Sequence, residues 1–515
     1  MSTIRKSIPL PRHAAGDVAY ARFRRIPGTD TAVVTNDAGR FHLLPRADLD
    51  TMLAGRLTGD SPHLATLENE GFLRAAPKID VLADRLRARR EYLFQGPSLH
   101  IIIITLRCDQ ICAYCHASRT NMDQEGYDMS EDTARRVVDR IFETTSKYIT
   151  IEFQGGEPTV NWPILRFIVD YARQKNENLN KTAGKELMFS LVTNMSQMTE
   201  ERADWLIDNG VMICTSFDGP REVHEWNRHL ARGSSYDEVT RWIKRFHEKY
   251  AERNKDGELA YVNALMTVTK ATVAADPRKV VDEYVALGLK AIHLRPLNPF
   301  GFATKTWQRI GYTADEYLAF YRAAVDYVIE LNRSGRSTIV EKKTGLYLEK
   351  IFTDKDPNYM ELRSPCGAGV GQMGYNFDGK VYTCDEGRMI GRMGDPIFEI
   401  GDVSDDHAHH ADFVAHPSVR AMQAASYLDS VPGCSDCAYN PYCGVCPIYN
   451  YVEQGDLFGK MPGSDWCKIS MGICDYLFDR LAREGDEFRA LIAKWAEVKD
   501  RSLAYCVKPG SSMTY

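Results

Sequence analysis

Three cysteines, Cys108, Cys112 and Cys115, stand in the run Leu-Arg-Cys-Asp-Gln-Ile-Cys-Ala-Tyr-Cys-His, spaced C-x3-C-x2-C directly after the apolar stretch 99–106. Cysteine thiolates are the usual ligands of iron–sulfur clusters, so a compact loop with three of them can hold three irons of a [4Fe–4S] cube and leave the fourth open; a zinc loop and buried free thiols are the alternatives. An open iron binds and reduces a small molecule, whereas a fully ligated one passes electrons. A zinc loop would need a fourth ligand and tetrahedral closure, for which His116 is the nearest candidate. A cluster loop placed straight after a buried strand requires a fold that builds its chemistry at strand ends.

The chain of 515 residues has room for two or three domains of about 100–200 residues each. Its charge is mixed, with a net value of −6, which argues against a nucleic-acid or membrane-surface partner. The basic run 85–90 reads as a solvated helix face. No apolar core of a signal peptide is expected at the N-terminus, and no stretch approaches the ~20 apolar residues of a membrane span. Thirteen cysteines in such a chain point to metal or catalysis in a reducing cytoplasm rather than to disulfides.

Residues 1–95 read as a small separate module. Two short strands flank the turn signal Asn36-Asp37-Ala38-Gly39, and helices follow. From 99 to 295 strands alternate with amphipathic helices; the strands are expected at 99–105, 148–153, 187–193, 211–216, 261–269 and 291–295. Ser130, followed by Glu131 and Asp132, is a helix start with a matched dipole. Six such units make a parallel sheet with helices outside, and the conspicuous polar motifs fall at strand C-termini, where barrel enzymes build their sites. The fold class is therefore α/β, an open (β/α)6 TIM-type barrel over 96–300. A helical connector spans 301–360, a cysteine-rich region spans 361–475, and a last helix with a polar tail fills 476–515. After Pro365 cysteine, glycine and turn residues replace hydrophobic periodicity, the texture of a region organised by metal.

The cysteine loop, with Tyr114 before its third cysteine, resembles the signature of radical S-adenosylmethionine (SAM) enzymes. Gly155-Gly156-Glu157-Pro158 resembles the motif that holds the SAM amino group. Thr193-Asn194 and Ser216-Phe217-Asp218-Gly219-Pro220 resemble the later strand ends lining the SAM site. The C-terminal third resembles a SPASM domain, and residues 1–95 a winged-helix-like leader-peptide-binding module. Within the superfamily the closest resemblance is to the His-Xaa-Ser system maturases, carried by 94–100, 151–158 and 213–220.

The resemblance implies a cofactor set and site roles. A [4Fe–4S] cluster on Cys108, Cys112 and Cys115 and SAM would generate a 5′-deoxyadenosyl radical. Cys434, Cys437, Cys443 and Cys467 would hold an outer auxiliary [4Fe–4S] cluster, and Cys366, Cys384 and Cys446 an inner one. The inner cluster's fourth position would be open, or filled by Cys474 or a non-cysteine group. The Cys443–Cys446 spacing is two residues here, where the family has three. Cys214 and Cys506 read as inert thiols. Gly155 and Gly156 would let backbone approach SAM, Glu157 would accept from its ammonium, and Thr193, Asn194, Ser216 and Asp218 would line the site. Arg228 would pair with the SAM carboxylate, with Arg295 a further candidate, and Tyr114 and Leu297 would pack on adenine. Asp385, directly after Cys384, matches the proposed general base of anaerobic sulfatase-maturating enzymes.

The implied partners are a ribosomally synthesised precursor peptide or protein and a reducing electron donor such as a flavodoxin or ferredoxin. The leading reaction is a side-chain crosslink; Ser or Cys oxidation in a protein is the alternative, and epimerisation lacks an identifiable hydrogen donor. A cluster-bearing electron carrier or peptide scaffold is the non-catalytic alternative.

Overall fold

A computed structural model describes residues 18–73, 79–179, 184–255, 260–357 and 359–497. Cys506 lies outside them. An N-terminal antiparallel sheet, in the order β1-β2-β3, is formed by Arg22–Arg25 (β1), Thr31–Thr35 (β2) and Phe41–Pro45 (β3).

Among the described residues the main sheet holds nine strands. Leu99–Thr105 (β4), Tyr148–Gly155 (β5), Glu186–Thr193 (β6), Val211–Ser216 (β7), Asn263–Thr267 (β8) and Leu294–Arg295 (β9) pair in parallel in that order. This is the expected six-unit series. The strand expected at 291–295 is broken at His293: Ala291–Ile292 pairs with Val340–Glu341 instead, while β9 stays with β8. Every residue of β4 is buried, which is why it reads as a continuous apolar run. The helices between strands cap as their sequences suggest: the Ser130 hydroxyl accepts from the Thr133 amide at the start of Glu131–Ile141 (α1), and Thr199 caps Glu200–Asp208 (α2) in the same way.

The sheet does not stop at the barrel. Gln372–Tyr375 (β10) adds in parallel to β4, and Lys380–Tyr382 (β11) and Glu399–Asp402 (β12) continue it antiparallel. Lys342–Phe352 (α3) packs against the long helical segment Asp465–Glu497 (α5), which is broken at Gly485, while Asp385–Arg392 (α4) packs on β10, β11 and β12. The boundary expected at 475/476 falls inside α5, because that helix already begins at Asp465, within the cysteine-rich stretch.

The N-terminal module is docked rather than separate. One sheet face (Ala32, Val34, Leu44) covers its own helices, while Val33, Phe41 and Leu43 join the main core. Arg24 grips Asp475 through two hydrogen bonds of 2.6 and 2.7 Å, and the Thr35 hydroxyl donates to the Ala438 carbonyl at 2.7 Å. The basic run 85–90 is a solvated face only in part: Arg87 is exposed, whereas Arg89 and Arg90 turn inward. Arg89 donates to the carbonyls of Lys350, Thr353 and Pro441, and Arg90 pairs with Asp429 at 2.8 Å; guanidinium forks are consumed by loop carbonyls and a carboxylate.

Candidate active site

Beyond β4 the chain turns into the cysteine loop. Cys108 donates its amide to Thr120, residues 110–112 pair with 228–230, and the Cys115 carbonyl accepts from the Phe302 amide. The end of β5 lies directly against this loop. A Cβ on Gly155 would stand 2.1 Å from the Thr105 carbonyl oxygen, and one on Gly156 2.3 Å from that of Arg107. Only glycine permits this approach, and the Gly156 and Glu157 amides use it to donate to the Thr105 and Arg107 carbonyls, each at 2.8 Å.

A cavity of about 240 Å3 lies at the C-terminal ends of the strands. Its walls carry Cys108, Cys112, Cys115, Tyr114, Gly155, Gly156, Thr193, Asn194, Ser216, Arg228, Arg295 and Asp385; these sequence candidates come together. Burial pushes all three thiols up, that of Cys112 to about 12, so thiolates persist there only with a bound cation to hold them. Three thiols around open space, with Arg228 Nη1 3.9 Å from the Cys112 sulfur and Asn194 Nδ2 3.6 Å from that of Cys108, fit a cluster bound on one side only. Among the described residues no three His, Cys, Asp or Glu side chains converge as one metal ion requires. The Nε2 of His116 is engaged with the Asn298 carbonyl at 2.9 Å.

Three candidates stand behind the cavity wall. Glu157 is fully buried: its Oε1 accepts from Thr159 N (3.0 Å), Thr159 Oγ1 (2.5 Å) and Thr193 Oγ1 (2.8 Å), and its Oε2 from Asn194 N (2.8 Å). The carboxylate expected to receive the SAM ammonium instead ties β5 to β6. Asp218 is also fully buried and accepts from the Tyr114 hydroxyl (2.6 Å), Arg228 Nε (2.9 Å) and Thr267 N (3.1 Å); it holds Arg228 and Tyr114 rather than lining the site. Leu297 packs with Tyr114, Ala303 and Ile310.

Residues without a sequence motif complete the walls. Glu152 accepts from Gln154 (2.6 Å) and Ser190 (3.1 Å), and burial pushes its carboxyl up to about 7. Glu361 and Glu386 also face the cavity. Arg295 donates to Glu361 at 3.1 Å and lies 3.5 Å from Glu386. Asp385 accepts from Arg388 Nε at 2.8 Å, a buried pair beside the cysteine loop, where Arg388 also reaches the Ala117 carbonyl.

The C-terminal cysteines divide in two. Cys434, Cys437, Cys443 and Cys467 line one cavity of about 330 Å3 with Arg24, Tyr439 and Trp466. Burial pushes the Cys434 and Cys443 thiols up to about 12 and that of Cys467 to about 11. Cys366, Cys384 and Cys446 share an apolar nest with Phe300, Phe398 and Ile448. Gly444 separates the two groups: its Cβ would stand 2.5 Å from the Glu361 carbonyl oxygen, so the turn that sends Cys443 one way and Cys446 the other passes hard against that backbone. Cys474 is fully buried and faces Cys443 and Cys437; it stands with the outer group and not with the inner one.

The Radical SAM superfamily profile matches residues 102–257. A cysteine-type anaerobic sulfatase-maturating enzyme of Clostridium perfringens is 25% identical over 288 residues, 54% of this chain and 71% of that one. An uncharacterized protein of Archaeoglobus fulgidus is 24% identical over 381 residues, 74% of this chain and 80% of that one. The structure of native anSMEcpe with bound AdoMet superposes with a TM-score of 0.59 at 19% identity, covering 75% of this chain and 99% of that one, a likeness of fold. Residues 102–257 thus carry a radical SAM domain, and the chain is homologous to the anaerobic sulfatase-maturating enzymes.

Proposed function

We propose that the protein is a peptide maturase that abstracts hydrogen from a ribosomally made peptide in a reducing cytoplasm and forms a side-chain crosslink. The carrying observation is the shared cavity, with the three-cysteine loop on one wall and Asp385 and Glu386, at the start of a helix capped by Cys384, on another. When bound, the [4Fe–4S] cluster and SAM supply a 5′-deoxyadenosyl radical.

Cys108, Cys112 and Cys115 would hold that cluster. Arg228, fixed by Asp218, presents Nη1 beside Cys112, where a SAM carboxylate would pair with it. Asn194 and Ser216 offer hydrogen bonds to the bound SAM. Asp385 would take the proton lost from the substrate, and Arg388 aims its carboxylate. Two auxiliary clusters, on Cys434, Cys437, Cys443 and Cys467 and on Cys366, Cys384 and Cys446 of a SPASM-type region, would accept the electron; a flavodoxin or ferredoxin would supply the first one.

The N-terminal sheet supports leader-peptide binding. Among the described residues β3 pairs with β2 alone, and its other edge borders a groove of about 800 Å3 closed by Phe352, Leu481 and Arg489. An extended leader would add there as a strand. The homology to a cysteine-type sulfatase-maturating enzyme favours Ser or Cys oxidation in a protein as the second reading.

Anaerobically reconstituted protein with reductant, SAM and a precursor peptide from the same locus tests this. Loss of two hydrogens mapped to two linked residues, with 5′-deoxyadenosine, is expected. The same loss on one Ser or Cys selects the second reading, and absence of 5′-deoxyadenosine from cluster-loaded protein rejects both.

A further inference from the structure

The strands around the central cavity line it with two layers of side chains. Gln154, Asn194, Ser216 and Thr267 stand toward the strand ends. Glu152, Val192, Cys214 and Leu265, each two residues earlier, form the layer beneath them, because alternate residues of a strand share a face. Ile101, the β4 partner of Glu152 in the ladder, also lines the cavity. A buried thiol behaves as a small apolar group, so this lower layer is apolar except for one carboxylate, on a residue only 3% exposed.

Every other carboxylate of the cavity wall has a cation beside it. Arg388 holds Asp385 at 2.8 Å, Arg295 holds Glu361 at 3.1 Å and approaches Glu386 at 3.5 Å. Arg228 is already taken by Asp218 at 2.9 Å. Glu152 has neutral donors, the Gln154 amide at 2.6 Å and the Ser190 hydroxyl at 3.1 Å, and no ion pair among the described residues. Burial without a counter-charge disfavours the ionised form, in keeping with a carboxyl pushed up to about 7. A cation arriving from the cavity would supply what the wall lacks. The layer suits a long basic side chain, whose aliphatic stem can cover Ile101, Val192 and Leu265 while its charged head reaches the carboxylate. Asn194 and Ser216, assigned to SAM above, belong to the upper layer, which leaves the lower one to the substrate.

We propose that Glu152 is a specificity residue that seats a Lys or Arg side chain of the substrate peptide in this lower layer. The inference rests on the peptide-maturase reading above and names the chemistry that the peptide must bring to the site.

The test uses the anaerobically reconstituted full-length enzyme with reductant, SAM and the precursor peptide from the same locus, and follows peptide modification by mass spectrometry. Each Lys and Arg of the modified segment is replaced in turn by norleucine. At one position the replacement should raise the peptide KM about tenfold or more, the worth of one buried charge-assisted contact. E152Q should raise the KM of the parent peptide by a similar factor and leave the KM for SAM as it is. Combined with that norleucine peptide, E152Q should cost nothing further, because the two changes remove the same contact. A wild-type enzyme that processes every norleucine peptide with the parent KM overturns the proposal. So does an E152Q effect that falls on SAM, or one that multiplies with the peptide replacement. Wild-type enzyme that makes 5′-deoxyadenosine yet modifies no peptide rejects the maturase reading itself, and that failure shows before any substitution is made.

Discussion

The Tyr114 hydroxyl donates to the Asp218 carboxylate at 2.6 Å, deep behind the cysteine loop. The same carboxylate grips Arg228, whose guanidinium lies over the Tyr114 ring at 5.2 Å. The aromatic of the cluster loop is thus fastened to a strand end more than a hundred residues away, and Asp218 serves the site by positioning it.

Replacing Asp218 by Asn leaves a buried Arg228 without its counter-charge. Loss of one partner of a buried pair costs about 3–5 kcal/mol, and Y114F, which removes one hydrogen bond to a charged group, about 1.5–3 kcal/mol. Denaturant unfolding of the two variants should rank them in that order; equal costs would contradict the arrangement.

Glu157 separates bracing from ligand binding. E157A would orphan the donors of Thr159, Thr193 and Asn194, each unsatisfied group costing about 1–3 kcal/mol. The expected phenotype is lower stability and iron retention. Weaker SAM binding, by calorimetry, in a variant of undiminished stability would restore the direct ammonium contact.

Glu152 gives a pH signature. Its carboxyl sits at about 7 in the folded protein, raised by burial from an ordinary 4.5. Between those values the folded state binds the extra proton, so this group's contribution falls as pH rises from about 4.5 to 7, by up to about 3 kcal/mol. The stability difference between wild type and E152Q, measured by urea unfolding from pH 5 to pH 8, should change in that window and level off above it.

Cys474 should be dispensable for iron. C474A is expected to keep the full complement, at a packing cost of about 1 kcal/mol, whereas C434A or C443A should lower it by about four irons. Iron and sulfide assays of the purified variants decide; iron loss in C474A would move it into the ligand set.

Much of this was legible in the chain. The β4 and β7 bounds follow from the mainly apolar runs around Ile101–Ile104 and Val211–Cys214, because buried parallel strands have no solvated face. The cysteine loop declares itself by spacing. The direction in which a motif side chain points does not: Glu157 lies inside a glycine motif, yet the backbone it follows turns its carboxylate toward Thr193 rather than the cavity. Glu152 looks like any strand residue until the barrel closes around it. The addition of β10 to β4, and the docking of Arg24 on Asp475, join segments hundreds of residues apart, which no local pattern encodes. The start of α5 was hidden because Cys467 and Cys474 carry the composition of a metal loop on a helical backbone.

The β4–β10 ladder pairs Ile101 with Gly374 and Ile102 with Tyr375. One strand of that ladder runs on to Cys108, and the other leads through β11 to Cys384. Electron tunnelling between redox centres weakens exponentially with separation. With the clusters proposed above on both cysteines, a backbone ladder that fixes how far apart they stand would work as a ruler, setting by register the time in which a substrate radical could be discharged before it turned on the protein.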